Sequence, residues 1–233
     1  MTLGQGKDGI MRIGILGGGS VGQTLGAGLA RLGHEVTVGI REVTPDTLAQ
    51  PRAQAQTLAE WQAATGQRVA TMAEAATADL LINATNGRGS LEAIEAAGPA
   101  TLAGKVLIDV SNPLDFSRGM PPFLIPEYTG PTSLAEQLQA AAPQARVVKA
   151  FNTVTAAVMV DAALVSEPQD LFLCGNDESA KEEVRNLARG FGWTRFVDMG
   201  DIVGARAQEM FVVIWVRLWM TGGTPLFGYR IVR

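Results

Sequence analysis

Residues 13–22, with the sequence IGILGGGSVG, decide the fold of this chain: an apolar strand is followed by three glycines and the start of a helix. Gly17, Gly19 and Gly22 match the pattern G-x-G-x-x-G. In this pattern the first glycine permits a sharp turn, the second lets the backbone approach a pyrophosphate, and the third lets the helix pack closely on the sheet. Backbone amides at the start of the helix then favour an anion. The stretch predicts a dinucleotide site, and the alternative is a glycine-rich turn without a ligand.

The rest of the chain alternates short apolar runs with helical stretches, which is typical of βαβ units. We therefore expect an α/β fold, a Rossmann-type doubly wound parallel sheet with a smaller C-terminal α/β domain. The predicted boundary lies near residue 152, between residues 10–152 and residues 153–233. Apolar runs predict strands at 10–16, 35–39, 68–70, 79–84, 105–110, 146–150, 170–174 and 193–197. Helical spacing predicts helices at 20–32, 45–65, 72–77, 90–97, 133–141, 155–164, 178–189 and 202–220.

Residues 111–132 interrupt this alternation. The segment contains prolines at 113, 121, 122, 126 and 131 and reads as one long loop. Loops of this length are uncommon in a compact domain unless they bind something. We expect this one to form a wall of the substrate site. The helix that follows has Ser133 and Glu136 close to a capping-box arrangement, one residue off the ideal spacing if Thr132 is the cap.

Composition excludes several classes of protein. The 233 residues are 47% hydrophobic and 18% charged, which excludes intrinsic disorder. The single cysteine, Cys174, cannot form an internal disulfide, and this favours a reducing cytoplasm. One cysteine and one histidine, His34, cannot build a His/Cys zinc site, so no metal site is expected. A formal charge of −4 argues against nucleic-acid binding.

The positions of the N-terminal residues, the most apolar run, the single histidine and the single cysteine indicate their roles. Residues 1–9 carry glycines and charges rather than the apolar stretch of a signal peptide, and the apolar run 210–216 is too short to span a membrane. We therefore expect no membrane association. His34 lies in a turn at the end of the sheet opposite the strand ends that bind ligands, and Cys174 lies inside an apolar strand. Both side chains are expected to be structural.

The residues after the second strand bear on the identity of the dinucleotide. A carboxylate at this point would hold the ribose 2′-hydroxyl of NAD, whereas a guanidinium suits the 2′-phosphate of NADP. The sequence here is Ile40-Arg41-Glu42. Arg41 favours NADP, although a register shift of one or two residues would bring Glu42 to the ribose. The remaining alternative is that Arg41 is a solvated loop charge.

The glycine pattern, Arg41 and the run VVKAFNT at residues 147–153 together resemble the F420-dependent NADP oxidoreductase family, from residue 11 through the terminal helix. The run KAFNT is the most distinctive part, and it is also similar to the cytoplasmic oxidoreductase domain of STEAP-type ferric reductases. The resemblance implies an oxidoreductase with NADP as its cofactor. It implies that NADPH lies across the glycine loop and passes a hydride to a planar acceptor, such as coenzyme F420 or a flavin, held between two domains.

The resemblance further implies where each part of NADP binds. The chain departs from the family at Ile40, where a hydroxyl residue is usual, and from the archaeal enzymes at Asn86 and Gly87, where they carry proline and tryptophan. The implied diphosphate contacts are Gly17, Gly18, Gly19, Ser20, Val21 and Gly22. The implied 2′-phosphate contacts are Ile40 and Arg41, and the implied ribose and nicotinamide contacts are Ala84, Thr85, Asn86, Gly87, Asn112 and Pro113.

Asn152 is the candidate catalytic residue, in a positioning role. It follows an apolar strand, so it is expected at the ligand-binding edge of the sheet, where its amide can donate to and accept from a planar substrate. The alternative is that Asn152 caps the next helix. The archaeal enzymes have histidine at this position. Lys149 lies one residue inside the strand and is expected to pair with a carboxylate rather than to act as a general acid.

Two other functions remain open from the sequence. One is a non-catalytic NADP-binding redox sensor or partner subunit, which has less need of the long loop. The other is a β-hydroxyacid-dehydrogenase-like or imine reductase, which needs a longer, all-helical second domain.

The C-terminal helix predicted at 202–220 has no polar face over residues 211–216, so it must be buried. We expect it at a homodimer interface or over the substrate crevice, with Trp215 and Trp219 on one face. The alternative is a core helix or strand sealed within the monomer.

Overall fold

A computed structural model describes residues 9–232 of the chain, and the expectation that the leader is no signal peptide falls mostly on residues 1–8, outside this range. A run of short apolar segments forms the strands, as the alternation predicts. The strands are β1 (Arg12–Leu16), β2 (Glu35–Ile40), β3 (Arg68–Thr71), β4 (Leu80–Asn83), β5 (Val106–Asp109), β6 (Leu114–Asp115), β7 (Phe123–Leu124), β8 (Arg146–Ala150), β9 (Asp170–Gly175) and β10 (Arg195–Asp198).

Eight of these strands form one sheet in the order β10-β9-β8-β5-β4-β1-β2-β3, and β6 and β7 form a separate hairpin. Neighbouring strands of the large sheet are parallel except for β8 and β9. Strands β1 and β4 are neighbours although β2 and β3 lie between them in sequence. The carboxyl ends of β1 and β4 therefore flank the point where the winding reverses, which is where such sheets bind ligands. The predicted Rossmann-type fold is confirmed.

Helices cover both faces of the sheet, and each face has its own buried apolar cluster. Within residues 9–232 the helices are α1 (Ser20–Arg31), α2 (Pro45–Ala49), α3 (Leu58–Thr65), α4 (Met72–Ala75), α5 (Ser90–Ala97), α6 (Leu134–Ala141), α7 (Ala156–Met159), α8 (Glu178–Gly190) and α9 (Ala205–Gly222). One cluster joins the sheet to α1, α3, α7 and α8, and the other joins it to α4, α5, α6 and α9.

Two predicted helices are wrong in their extent. The single helix predicted at 45–65 is two helices, α2 and α3, because Pro51 cannot continue a helix and Thr57 starts a new one through a capping box with Glu60. The helix predicted at 155–164 is also divided. Asp161 lies between α7 and a short 3₁₀ turn, and its side chain caps that turn by accepting a hydrogen bond from the amide of Ala163.

Residues 111–132 contain more structure than the predicted loop. Strands β6 and β7 pair in an antiparallel hairpin, and a 3₁₀ turn follows at Pro126–Tyr128. The Asp115 carboxylate accepts hydrogen bonds from Ser117 and Arg88, and these contacts lower its pKa to about 2. The capping box of α6 uses Ser133 itself as the cap, with Glu136 three residues later. The ideal spacing is therefore present, and Thr132 is not the cap.

The sheet continues across the predicted domain boundary at residue 152. Strand β9 pairs antiparallel with β8, with Val148 opposite Gly175, and β10 pairs parallel with β9. The C-terminal strands therefore extend the sheet and form no second sheet of their own. A division into residues 10–152 and residues 153–233 stays a prediction.

Helix α9 is buried on one side only. Its inward residues include Gln208, Glu209 and Val212, while Met210 and Ile214 are about half exposed. Within residues 9–232 the chain leaves the other side of α9 uncovered, which contradicts the alternative of a helix sealed within the monomer. Trp215 and Trp219 lie next to each other on one face, as expected, with ring centroids 5.5 Å apart and ring planes tilted by 41°. Among residues 9–232, no helix combines the length and the apolar composition needed to cross a membrane.

Candidate functional site

The glycine turn, residues 17–22, leaves no room for side chains at two of its positions. Gly17 has a φ of +115°, and a Cβ on it would lie 2.7 Å from the carbonyl oxygen of Ala84. A Cβ on Gly22 would overlap the carbonyl oxygen of Gly17. Glycine at 17 thus permits the left-handed turn out of β1, and glycine at 22 lets α1 pack directly against that turn.

Gly19 is the open position of the glycine turn. A Cβ there would have no heavy atom within 4 Å, and no side chain caps α1, whose N-cap is Gly19. The amides of Ser20, Val21 and Gly22 have no acceptor within the helix, because the first turn of any helix leaves its donors unpaired. Open space in front of unpaired donors and the positive end of a 12-residue helix fits a diphosphate. The residues present therefore fit the dinucleotide that the sequence predicts.

At the end of β2, two adjacent residues have opposite environments. The Ile40 side chain is buried, and its Cγ2 lies 3.1 Å from the position of a Cβ on Gly18, so it packs under the glycine turn. Arg41 is exposed and forms an ion pair with Glu92 of α5 at 2.5 Å. Of the two implied 2′-phosphate contacts, Arg41 has the exposed side chain and Ile40 the buried one, and both assignments stay predictions. Glu42 is also exposed.

Two strand-end turns lie beside the glycine turn: residues 84–87 after β4 and residues 111–113 after β5. They touch each other at Gly87, where a Cβ would lie 2.5 Å from the carbonyl oxygen of Asn112 and 2.7 Å from the Cα of Pro113. Asn86 accepts a hydrogen bond from the amide of Gly89 at 2.8 Å and so begins a 3₁₀ turn. The structure thus brings together every residue that the resemblance assigns to the ribose and the nicotinamide.

Buried polar side chains support these turns from within the sheet. Asn83, Asp109 and Lys149 occupy matching positions on β4, β5 and β8 and are fully buried, and we call them the polar ladder. Asp109 accepts from Asn83 Nδ2 at 2.9 Å and from Lys149 Nζ at 2.7 Å. The polar ladder also reaches both strand-end turns. Asn83 Oδ1 accepts from Thr85 Oγ1 at 2.7 Å, and Lys149 Nζ donates to the Ser111 carbonyl at 2.5 Å.

The predicted pairing of Lys149 with a carboxylate is confirmed. Burial acts to lower the pKa of Lys149, but the charges of Asp109 and Glu209 raise it above its ordinary value. Lys149 is therefore an ion-pair partner within the sheet, held between two buried carboxylates. The rest of the polar ladder was missed from the sequence, although a signal exists: the apolar strands LLIN and VLID end on a polar residue, and VVK has one at the matching position.

Helix α9 covers the polar ladder with a buried carboxylate. Glu209 Oε1 lies 3.1 Å from Lys149 Nζ, and the two oxygens of Glu209 accept from the amides of Leu134 and Ala135 at 2.9 and 3.0 Å. Burial raises the pKa of Glu209, and the Lys149 charge and the two amides oppose that rise. One side chain of α9 thereby joins the start of α6 to the polar ladder.

Asn152 is buried and makes all its amide contacts within the chain. Its Nδ2 donates to Asn112 Oδ1 at 2.9 Å and to the carbonyl of Gln208 at 3.0 Å, and its Oδ1 accepts from Gln208 Nε2 at 2.8 Å. The N-cap of α7 is Thr155, so Asn152 does not cap that helix. Asn152 therefore links a strand-end turn to α9, and its positioning role toward an acceptor stays a prediction.

Phe151 explains how the run KAFNT leaves β8. It has a φ of +64°, which is unusual for a bulky residue and costs on the order of 1–3 kcal/mol. Its ring is buried edge-on against Trp193, with centroids 6.3 Å apart. Packing therefore holds Phe151 in a strained conformation, and the turn at this residue brings Asn152 next to Asn112.

His34 and Cys174 both have the structural roles that the sequence predicts. His34 Nδ1 accepts from the amide of Met11 at 3.3 Å, at the end of the sheet opposite the glycine turn, and burial lowers its pKa. Cys174 is fully buried, which raises the pKa of its thiol to about 12. In the described part of the chain, no group of three or more His, Cys, Asp or Glu side chains is placed to hold a metal ion.

Comparison with known proteins places this geometry in a family. Residues 12–113 match the model of the family described as "NADP oxidoreductase coenzyme F420-dependent". A candidate F420-dependent NADP reductase from Arthrobacter sp. FB24, solved by crystallography, is 43% identical with a TM-score of 0.89, and the alignment covers 96% of this chain and all of that one.

Curated relatives match over shorter regions. An F420-dependent NADP reductase from Methanocaldococcus jannaschii is 30% identical over 132 residues, which is 56% of this chain and 57% of that protein. Metalloreductase STEAP3 from Rattus norvegicus is 35% identical over 122 residues, which is 51% of this chain and 22% of that protein. The alignments thus span a little over half of one curated relative and about a fifth of the other. With the full-length structural match and its glycine turn, the chain belongs to the family of coenzyme F420-dependent NADP oxidoreductases.

Proposed function

We propose that this chain transfers a hydride between NADP(H) and a planar acceptor, coenzyme F420 or a flavin. The observation that carries the proposal is the open Gly19 position in front of the uncapped start of α1. It lies at the carboxyl end of β1, beside the end of β4, where the sheet reverses its winding. Family membership adds the identity of the dinucleotide and the class of reaction.

In this proposal the chain itself supplies binding and orientation. NADPH supplies the hydride when it is bound. The glycine turn would hold the diphosphate on the amides of Ser20, Val21 and Gly22, and Arg41 would exchange its ion pair with Glu92 for the 2′-phosphate. The strand-end turns would border the ribose and nicotinamide. Hydride transfer between aligned rings depends mainly on positioning, so the site needs no acidic side chain at the reacting atoms.

The acceptor would lie against the hairpin β6–β7 and residues 153–233. Phe116, Met120 and Phe123 on the hairpin are about half exposed, so they offer an apolar surface to a planar ring. The names of two relatives, both F420-dependent NADP reductases, favour coenzyme F420. A third relative is named a metalloreductase, so the experiment also tests electron transfer to a ferric acceptor.

The experiment is anaerobic oxidation of NADPH, followed at 340 nm, with F420, FMN, FAD, ferric citrate and a soluble quinone as separate acceptors. We expect turnover with F420 or a flavin. The second candidate is a non-catalytic NADP-binding sensor or partner subunit. Tight NADPH binding by calorimetry without turnover on any acceptor would favour that candidate and overturn the proposed reaction.

We also propose a homodimer in the cytoplasm. The exposed apolar side of α9 supports the dimer, because an apolar helix face is normally covered. The single cysteine, fully buried in β9, supports a reducing compartment.

A further inference from the structure

Glu209 is a buried carboxylate that the proposed reaction does not use. It is 1% exposed and lies on the inward side of α9, outside the glycine turn and both strand-end turns. A buried charge is costly unless several groups satisfy it. Glu209 has three donors, the amides of Leu134 and Ala135 and the ammonium of Lys149. Helix α9 therefore has one fixed position relative to α6 and the polar ladder.

From Glu209 the contacts continue to both strand-end turns. Lys149 Nζ, held by Glu209, donates to the Ser111 carbonyl and to Asp109 at 2.5 and 2.7 Å. Asp109 in turn accepts from the Ser111 amide at 3.1 Å and, through Asn83, is joined to Thr85. Each link is short, and all but the part-buried one from Asn83 to Thr85 are buried, so a shift of one member displaces the next.

A second chain of contacts from the same helix ends on the same turns. Gln208, the neighbour of Glu209, donates to Asn152 Oδ1 at 2.8 Å and to the carbonyl of Phe172 at 3.1 Å. Asn152 and Asn112 are joined by two hydrogen bonds. Asn152 Nδ2 donates to Asn112 Oδ1, and Asn112 Nδ2 donates to the carbonyl of Asn152. Two consecutive residues of α9 thus reach residues 111–113 by separate routes.

We propose that Glu209 is a positioning residue: acting through Lys149 and Asp109, it fixes the strand-end turns and so sets the affinity for the nicotinamide half of NADP(H), which it does not touch. This rests on the proposed function, in which those turns border the nicotinamide. The adenosine half would depend on the glycine turn and Arg41, which share no hydrogen bond or ion pair with Glu209, Lys149 or Asp109 in the described part of the chain. A purely structural Glu209 would affect both halves equally.

The experiment compares two probes by calorimetry: NADPH, which contains the nicotinamide, and 2′,5′-ADP, which lacks it. In Glu209→Gln, an NH2 group would replace one of the two accepting oxygens, so one of the three donors would lose its acceptor, and the negative charge beside the Lys149 ammonium would be removed. We expect the Kd of NADPH to rise about tenfold, equivalent to one lost hydrogen bond, and the Kd of 2′,5′-ADP to stay within twofold. Arg206→Gln is the matched control, because Arg206 joins α9 to α6 at Glu136 on the surface without reaching the polar ladder. It should change neither Kd.

A measurement on the unmodified protein covers the case in which Glu209→Gln does not fold. Coupling between two sites is reciprocal, so NADPH should slow amide hydrogen exchange in α9 and at the start of α6, and 2′,5′-ADP should not. Equal weakening of both probes by Glu209→Gln, or equal protection of α9 by both, would overturn the positioning role. A wild-type protein that binds neither probe would instead overturn the proposed function.

Discussion

Gly19 would contact the diphosphate of the cofactor and Arg41 its 2′-phosphate. A substitution at each residue can therefore test each contact separately. Gly19 faces open space at the start of α1, with a φ of −80° that any residue can adopt. Arg41 is held only by an exposed partner, Glu92. Neither residue supports the core, so both can be changed without unfolding the chain.

Gly19→Asp should abolish cofactor binding and leave the fold intact. Aspartate is a preferred N-cap, so its carboxylate would accept from the first amides of α1 and would repel the diphosphate. We expect the unfolding temperature to stay equal or rise, and the Kd of NADPH to increase about 100-fold or more. Gly19→Ala, which adds no charge, should weaken binding far less. NADPH binding by Gly19→Asp at wild-type affinity would contradict the placement of the diphosphate.

Arg41→Ala should weaken NADPH binding and leave NADH binding nearly unchanged. Removing a charged partner of the 2′-phosphate costs about 1–3 kcal/mol, or roughly 5- to 140-fold in Kd. Fluorescence titration of both cofactors against wild type, Arg41→Ala and Arg68→Ala, an exposed arginine on β3, gives the comparison. Equal wild-type affinity for NADPH and NADH would contradict the assignment of Arg41 to the 2′-phosphate.

Glu92→Gln should act in the opposite direction. In the free protein Glu92 competes with the 2′-phosphate for Arg41, and exposed ion pairs of this kind are worth up to about 1 kcal/mol. We expect the variant to bind NADPH roughly two- to fivefold more tightly, most visibly at low salt. Glu95→Gln, further along α5, is the control and should have no effect. Tighter binding of NADH to the same degree would show that Glu92 does not act through the 2′-phosphate.

The glycine turn could be predicted from the sequence, whereas the polar ladder could not. Gly17, Gly19 and Gly22 lie within six residues, and their conformations depend on neighbours in the chain. Asn83, Asp109 and Lys149 meet only when β4, β5 and β8 pair, across separations of 26 and 40 residues. Glu209 reaches Lys149 from another helix. A pattern of residue types along one chain does not contain the register that brings such groups together.

At the level of elements, apolar runs in the sequence predicted the strands. The starts of the helices depend on capping residues, and only some of these were identified from the sequence. Thr57 with Glu60 and Thr71 with Glu74 are both capping boxes, and each begins a helix where the structure places it. The break at Pro51 was overlooked because the helical spacing of apolar residues continues on both sides of it. The hairpin β6–β7 was overlooked because each strand has only two residues.

The hairpin gives a prediction about the acceptor alone. Only the tip of the hairpin can be replaced without disturbing the site. Residues 111–113 contact the polar ladder, and the Ile125 amide donates a hydrogen bond to the Pro113 carbonyl. Replacing residues 116–122 by Asn-Gly keeps β6 and β7 and removes the exposed Phe116 and Met120. We expect the KM of the acceptor to rise severalfold while the Kd of NADPH is unchanged, measured by steady-state kinetics and calorimetry. A loss of NADPH affinity would mean that the tip supports the cofactor site.

At the scale of the whole molecule, helix α9 has one covered side and one exposed apolar side. One of its sides binds the sheet and α6 through Gln208, Glu209 and Val212. On the opposite side, five apolar residues are each exposed by 43–52%. They are Met210, Val213, Ile214, Leu218 and Met220. A patch of this kind is unusual on the free surface of a monomer, and a second copy of the chain can cover it by two-fold symmetry.

We therefore expect a homodimer through this side of α9, disrupted by a charge at its centre. Met210, Ile214 and Leu218 are spaced by four residues, so a glutamate at Ile214 would lie in the middle of a self-complementary contact. Light scattering during size exclusion should give a dimer for wild type at micromolar concentration and a monomer for Ile214→Glu. Leu164→Glu, an equally exposed leucine outside α9, should remain dimeric. A monomeric wild type would contradict the dimer, because the apolar side of α9 would then be exposed to water in the native protein.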